Sequence, residues 1–510
     1  MSIRGVERGL PPRAGRRRVA LRATAALLAC LAAAGCVAGP NFKTPPAPDV
    51  HQYTREPIDH AAATPGVTGG APQQLSANTQ MQGDWWTLFH SQTLDDLIGE
   101  GLKNNHDLKA AQAALKAAHE GVLSQRGAYY PTVTAGFGAT RQRTSGALAP
   151  TPFNNAQIYS LITPEVSVTY TPDVFGLNRR TVEQVKAQED QTRYELYAAD
   201  LTLTSNIANA YIQDAALQGQ IDATKDLIEI DAKSVDILKE QFAKGYASKL
   251  DLAAQESALA QQVATLPGLT KQELQTRDLL AVLVGRYPEA SPDHPFELAA
   301  LQLPQDLPLS LPSELVRQRP DILQAEANLH MASAGIGIAR ANRLPNIQLT
   351  ADAGTMALTF GKIFANGAEF WDYGLQITQT VFDAGQLKHK ETAAKDLFVQ
   401  ANEQYKSTVL TAFQNVADTL VALDQDAKAL QANAAASDAA KTTLDLSQEQ
   451  YKRGYASYLT LLSAEQGYQS ARINLVQAQA ARYADTVALY QALGGGWWHR
   501  SDLVKGKDGR

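Results

Sequence analysis

Two stretches of the chain hold one apolar position in register over many helical turns. Ile207, Ile221, Ile228, Val235 and Phe242 fall at multiples of seven, and so do Val416, Leu423, Leu430, Leu444 and Tyr451. Asp214 and Ser437 interrupt the two series. A seven-residue period draws one narrow stripe along a helix. It suits lateral coiled-coil packing with a wide polar remainder. Gln386 to Arg453 runs 68 residues without Gly or Pro, enough helix to span on the order of 100 Å. Arg179 to Lys244 matches it, with only Gly219 inside. Globular helices average about 11 residues, so something other than a compact core sets these lengths.

Elsewhere the period changes to two. Val166, Val168 and Tyr170 alternate with Glu165, Ser167 and Thr169. Ile347, Leu349 and Ala351 alternate with Asn346, Gln348, Thr350 and Asp352, and Gly374 to Thr378 continues the pattern. Such segments read as strands with one apolar and one polar face. Loops rich in Gly, Pro and Asn join them near Gly146–Asn155 and Gly361–Gly367, giving four strands, two in each half.

The halves are duplicates. A shift of 209 residues superposes Ile207 on Val416, Ile221 on Leu430 and Gly285 on Gly494; nearer the N-terminus a shift of 214 brings Asp107 onto Asp321 and Pro131 onto Pro345. The repeat is clearest at two turns, Gln241-Phe-Ala-Lys-Gly-Tyr-Ala-Ser248 and Gln450-Tyr-Lys-Arg-Gly-Tyr-Ala-Ser457. Gly245 and Gly454 can take the left-handed conformation that ends a helix. Ser248 and Ser457 stand where N-caps of returning helices belong. A unit this long is a duplicated structural element, not a short-period solenoid.

These signals divide the chain. Residues 1–35 are a leader, and 36–90 a tether and entry segment. The first repeat has a helix at 91–128, strands at 129–178 and a helical hairpin at 179–284. A proline-rich linker, expected to be largely irregular and external, fills 285–320. The second repeat has a helix at 321–343, strands at 344–385 and a hairpin at 386–493, followed by a tail at 494–510. Asn41 to Gln82 reads as an extended tether. Asp84-Trp-Trp-Thr-Leu-Phe89 reads as packing of the first folded segment.

Composition narrows the function. The leader joins a basic region to an Ala/Leu run too short for an ordinary span and ends Leu31-Ala-Ala-Ala-Gly-Cys36. This resembles a lipobox, with Ala33 where leucine is usual, and makes Cys36 the first mature residue, carrying diacylglycerol and palmitate. Losing seven arginines and one glutamate takes the formal charge from −6 to −12, which argues against nucleic acid. One mature cysteine excludes a disulfide framework. No metal-ligand spacing, phosphate loop, nucleophile elbow or acid/base pair is present, so no enzyme and no cofactor beyond the lipid is expected.

Alternating strands with one polar face suit a barrel with lipid outside and water inside. Only a closed barrel satisfies the backbone in lipid, and four strands cannot close a pore. Three copies would supply twelve. A soluble β-sandwich with a coiled-coil arm is the competing reading.

Several motifs in order then resemble the TolC-like outer-membrane efflux proteins of the NodT lipoprotein type. They are Cys36-Val-Ala-Gly-Pro-Asn-Phe-Lys-Thr-Pro-Pro46, Asp84-Trp-Trp-Thr-Leu-Phe89, Asn105-His-Asp-Leu-Lys-Ala-Ala111, Tyr170-Thr-Pro-Asp-Val-Phe-Gly176, Arg319-Pro-Asp-Ile-Leu-Gln-Ala-Glu326 and the two Gly-Tyr-Ala-Ser turns. The resemblance covers nearly the whole mature chain. It implies a mixed α/β membrane protein: a homotrimer with a twelve-stranded transmembrane β-barrel, a coiled-coil α-helical barrel in the periplasm and an equatorial mixed region. It also implies a passive exit duct in the outer membrane, served by a periplasmic membrane-fusion adaptor and an inner-membrane RND transporter. The exit duct of a type I secretion system shares the fold, and a pore-less periplasmic coiled-coil lipoprotein is the alternative of another class.

The resemblance also assigns sites. Gly245, Tyr246, Ala247, Ser248, Gly454, Tyr455, Ala456 and Ser457 would meet the adaptor's hairpin tips, six sites per trimer. Asp251 would form a ring of charge at the tunnel mouth; Ser248-Lys-Leu-Asp251 equally fits a capping box. Thr460 and Ser463 stand where relatives often carry aspartate, which predicts a weaker second ring. Tyr451 occupies a gate position, within prospective reach of Asp251 across neighbouring helices, and also belongs to the packing stripe.

Overall fold

A computed structural model describes residues 37–77, 79–143, 145, 158–291 and 295–504. The leader, Cys36 and the Gly146–Asn155 loop lie outside the described residues. In chain order the elements are β1 (His60–Ala61), β2 (Gln73–Ser76), α1 (Gln92–Asn104), α2 (His106–Arg126), β3 (Thr132–Arg143), β4 (Ile158–Tyr170), α3 (Leu177–Ala243), α4 (Lys249–Leu283), β5 (Asp306–Pro308), α5 (Pro312–Gln318), α6 (Pro320–Ala341), β6 (Asn346–Thr355), β7 (Glu369–Thr378), α7 (Gln386–Lys452), α8 (Tyr458–Ala492) and α9 (Ser501–Val504). Two compact units result. One comprises the described residues of Met1–Thr44 with Ala117–Glu189 and Ala327–Glu403; the other those of Pro45–Lys116, Asp190–Glu326 and Gln404–Arg510.

The first unit is built on an antiparallel sheet in the order β3-β4-β6-β7. Its register sorts the alternating residues by face. Val133 pairs with Val168, Tyr170 with Leu349, Ile347 with Ile377 and Ala351 with Tyr373. The intervening pairs are Thr134 with Ser167, Thr169 with Thr350, and Gln348 with Gln376. A one-residue slip would mix the two sets. The apolar face covers no core: Val133, Phe137, Tyr373, Leu375 and Ile377 are exposed, and Trp371 is 72% exposed. A soluble sandwich would bury this face, so that reading falls.

The same unit holds the first described residues firmly. Buried Arg180 donates from Nε to Ala38 O at 3.0 Å and from Nη2 to Asn41 Oδ1 at 2.8 Å. Phe42 stacks on His330 with centroids 4.3 Å apart. Gly39 lies so close to Gly337 that a Cβ there would come within 2.4 Å of the Gly337 backbone. Where β7 gives way to α7, Glu391 meets Lys395 at 2.9 Å, Arg340 at 3.5 Å and Arg343. Lys395 first, then Arg343, holds its carboxyl down to about 2.

The second unit has a continuous apolar core. Trp85, Phe89 and Tyr490 are fully buried, and Trp85 stacks on Tyr490 at 5.3 Å. Each such ring contributes on the order of 2 kcal/mol through its buried area. The single helix expected over 91–128 is interrupted at Asn105, whose Oδ1 accepts from Leu108 N at 2.9 Å and so caps α2. Of the seven-residue stripe, Ile207, Val416 and Leu423 lie in this core and Ile221, Val235, Leu430 and Leu444 are also buried, whereas Ile228 and Tyr451 are half-buried and Phe242 is exposed.

Two local expectations are corrected. The tether contains β1 and β2, and buried Gln73 donates to Pro304 O at 3.0 Å and Thr486 Oγ1 at 2.9 Å. The proline-rich linker is not a mere external wrap. It supplies β5, parallel to β2, and Leu301, Leu307 and Leu315 to the core. Proline prevents long elements there but leaves leucines free to point inward. Asp214 and Ser437, the polar residues that interrupt the stripe, are themselves buried. Arg277 Nε donates to Asp214 Oδ1 at 3.2 Å, which offsets part of the cost of burying it.

Candidate functional site: the two hairpin tips

Both tips are made by the same backbone device. Gly245 and Gly454 each have φ of 77°. Gly245 N donates to Phe242 O at 3.0 Å and Tyr246 N to Gln241 O at 2.8 Å; Gly454 N donates to Tyr451 O at 3.0 Å and Tyr455 N to Gln450 O at 2.9 Å. These paired bonds are a Schellman close, which needs a left-handed residue after the helix. Ser248 and Ser457 then cap α4 and α8. The turn projects one aromatic side chain from each tip into solvent. Tyr246 and Tyr455 are both 82% exposed.

The tips differ at the third residue of the returning helix. Asp251 N donates to Ser248 Oγ at 3.0 Å, and Asp251 Oδ2 accepts from Ser248 N at 3.4 Å and from Ser248 Oγ at 2.8 Å. The capping box expected from sequence is present. Its counterpart Thr460 gives a hydroxyl pair instead, Thr460 Oγ1 to Ser457 Oγ at 2.9 Å. Asp251 is half-buried, and Thr460 and Ser463 are exposed. The first tip therefore carries an acidic group where the second carries neutral ones.

Tyr451 finds its partner within the chain in Gln241, to whose Oε1 it donates at 3.0 Å. Asp251, engaged by Ser248, acts on it only through space. Burial first, and the Asp251 charge second, raise the Tyr451 phenol above its ordinary value. Tyr451 also meets Tyr458 edge-on at 5.9 Å. These contacts place Tyr451 in the packing stripe.

A polar group beneath the second tip was missed. Glu465, 3% exposed, shares the interior with Asp231, Gln255 and Tyr458. Tyr458, Leu461, Glu465 and Tyr468 follow helical spacing on one face of α8, so a charge on an apolar stripe was the available signal. The duplicate of Glu465 is Glu256, which is exposed and faces Lys239 at 3.9 Å.

Among the described residues no helix is long and apolar enough to cross a membrane, and no group of three or more His, Cys, Asp or Glu could hold a metal ion.

A two-sided sheet with a bare apolar face, together with paired long hairpins, defines a class of outer-membrane channel proteins. The model of the outer membrane efflux protein family matches residues 97–286 and 311–495, and the chain belongs to that family. The toluene efflux pump outer membrane protein TtgC of Pseudomonas putida is 31% identical over 473 residues, covering 92% of this chain and 94% of its own. The pyoverdine export outer membrane protein OpmQ of Pseudomonas aeruginosa is 29% identical over 456 residues, covering 87% and 94%. Among solved structures, the outer-membrane channel OprN aligns with a TM-score of 0.80 at 26% identity, over 91% of this chain and 100% of its own. The open-state outer membrane channel MtrE of Neisseria gonorrhoeae aligns with a TM-score of 0.77 at 26% identity, over 91% and 99%. The family is one of efflux ducts, not of enzymes.

Proposed function

We propose that the chain works as a homotrimer whose three sheets join into one twelve-stranded barrel, a passive exit duct for small molecules in a tripartite RND-type pump. The observation that carries this reading is the sheet with one exposed apolar face, one polar face and two open edges at β3 and β7. Unpaired edges cannot be left in lipid, and copies of the same sheet are the simplest partners for them. The long hairpins then form the periplasmic helical barrel, with the equatorial region supplied by β1, β2, β5 and the tail.

In this reading the residues at Gly245–Ser248 and Gly454–Ser457 dock a periplasmic membrane-fusion adaptor, itself coupled to an inner-membrane RND transporter. Asp251 forms a negative ring at the mouth, Tyr451 closes the gate beside it, and Thr460 and Ser463 leave the second ring neutral. Cys36 carries diacylglycerol and palmitate and anchors the chain in the outer membrane. The names of the relatives, outer membrane components of efflux pumps, favour this assembly over a secretion duct. The test is the mass of the purified protein together with conductance in planar bilayers. A trimer passing cation-preferring current is expected. A non-conducting monomer overturns the proposal.

A further inference from the structure

The register sorts charge between the two faces of the sheet as well as polarity. Glu165, Asp352 and Asp372 all stand on the polar face, where Asp352 pairs directly with Asp372. On the apolar face, the series Val133, Ala135, Phe137 and Ala139 along β3 ends in Arg141 and Arg143. Their pairing partners on β4 are Ser160 and Ile158, neither of which is charged. Gln142 between them belongs to the other face and donates to the Tyr159 hydroxyl. A strand so paired cannot turn its arginines inward without slipping register.

Both arginines are exposed, and neither has an ion pair or hydrogen bond among the described residues. The connections at this end bring no acid, for residues 144–157 and 356–368 contain no Asp or Glu. Among the described residues the apolar face holds one acid, Glu369, and its Oε2 accepts from Gly367 N at 3.0 Å. Two like charges about 7 Å apart on one side of a strand repel. A phosphate answers both, since a guanidinium takes it bidentately. The run from Val133 to Ala139 offers about 20 Å of apolar strand below that phosphate, which a free anion in water would leave uncovered. Trp371 and Tyr373, both exposed on the same face, stack at 5.8 Å. Such rings favour the level of lipid headgroups.

We infer that Arg141 and Arg143 bind the phosphorylated headgroup of an anionic lipid, in the leaflet at the loop end of the sheet, away from the helices. Its acyl chains lie along Phe137, Ala139 and Ile162. This rests on the barrel reading, because the lipid must meet the apolar face.

The test titrates the purified full-length protein, in detergent, with diphosphorylated lipid A and with the same lipid stripped of its phosphates. Native mass spectrometry counts the lipid bound to each chain. The phosphorylated form is expected to bind about tenfold or more tightly. Arg141→Gln with Arg143→Gln should erase that preference. Lys388→Gln with Lys390→Gln, an equal loss of exposed charge at the start of α7, should keep it. Equal uptake of the two forms overturns the inference and leaves the barrel standing; it is the result expected if the arginines instead pair with Glu369 of a neighbouring copy. A preference that survives in the arginine variant also overturns it, as does an equal loss in the lysine variant. If neither form binds, the inference falls, and a non-conducting monomer in the same preparation takes the barrel reading with it.

Discussion

Tyr451 donates to Gln241 across the two hairpins, and the mirror-image bond does not exist. The duplicates of this pair are Phe242 and Gln450, and phenylalanine has no hydroxyl to give. The two tips are thus tied once rather than twice. Tyr451→Phe keeps the ring against Tyr458 and deletes only this bond, worth about 1 kcal/mol. Thermal stability should change little. Single-channel recordings should show open probability raised by about fivefold. An unchanged open probability would free Tyr451 from any gating role.

Asp251 serves a cap and carries a charge, and the second tip shows how to separate the two. Thr460 stands in the same place after an N-cap serine, with its turn intact. Asp251→Thr should therefore leave stability within about 0.5 kcal/mol while removing the proposed negative ring. Reversal potentials in asymmetric salt should shift toward zero cation preference. If selectivity stays where it was, the ring is not at Asp251.

Much of this was legible because two periods, seven and two, recur in both halves of the chain. The left-handed glycines and capping serines were equally plain, since few residues suit those backbone states. What was hidden depends on contacts distant in sequence. Nothing local says that Gln73 reaches Pro304 and Thr486, or that Arg180 secures Ala38 and Asn41. The prolines of the linker announced irregularity and masked the leucines between them. Asp214 looked like a break in the stripe because its partner Arg277 lies on the next helix. Glu465 was passed over because its duplicate Glu256 is an ordinary surface residue.

Buried carboxyls set a pH dependence. Burial first, then Asp231, lifts Glu465 to about 7. Burial lifts Asp214 to about 6, against the opposing pull of Arg277. A carboxyl whose folded value lies above its unfolded one stabilises the fold in full below the unfolded value, near 4.5 for glutamate. That contribution is lost as the pH rises through about 7. Glu391 has the opposite sign, but its window closes below about 4.5 and does not intrude. Unfolding should therefore need more heat at pH 5 than at pH 8. Glu465→Gln should narrow that gap by about 2 kcal/mol. A gap of the same width in the variant would show that Glu465 is already ionised at no cost.

The sheet makes a prediction between adjacent residues. Leu375 lies on the bare apolar face and Gln376 on the polar one. Arginine facing lipid near mid-bilayer costs about 2–4 kcal/mol, whereas arginine facing water costs little. Leu375→Arg should deplete the protein from outer-membrane fractions, and Gln376→Arg should not. Equal depletion would argue that the apolar face meets something other than lipid.

Exposure at the tips separates docking from folding. Tyr246 and Tyr455 contribute backbone bonds to the turns, but their rings reach into solvent. Replacing both with alanine leaves the Schellman bonds and the serine caps in place, so the unfolding midpoint should stay unchanged. An adaptor held by those rings should lose affinity, since aromatic anchors often account for more than 2 kcal/mol of an interface. Gly245→Ala is the complementary change. A Cβ there meets nothing within 4 Å, so the left-handed backbone alone is strained, at about 1–2 kcal/mol. Binding of the purified adaptor should fall in the double tyrosine variant without loss of stability. In Gly245→Ala, stability should fall first. If the tyrosine variant binds as the parent does, the adaptor grips some other part of the hairpins.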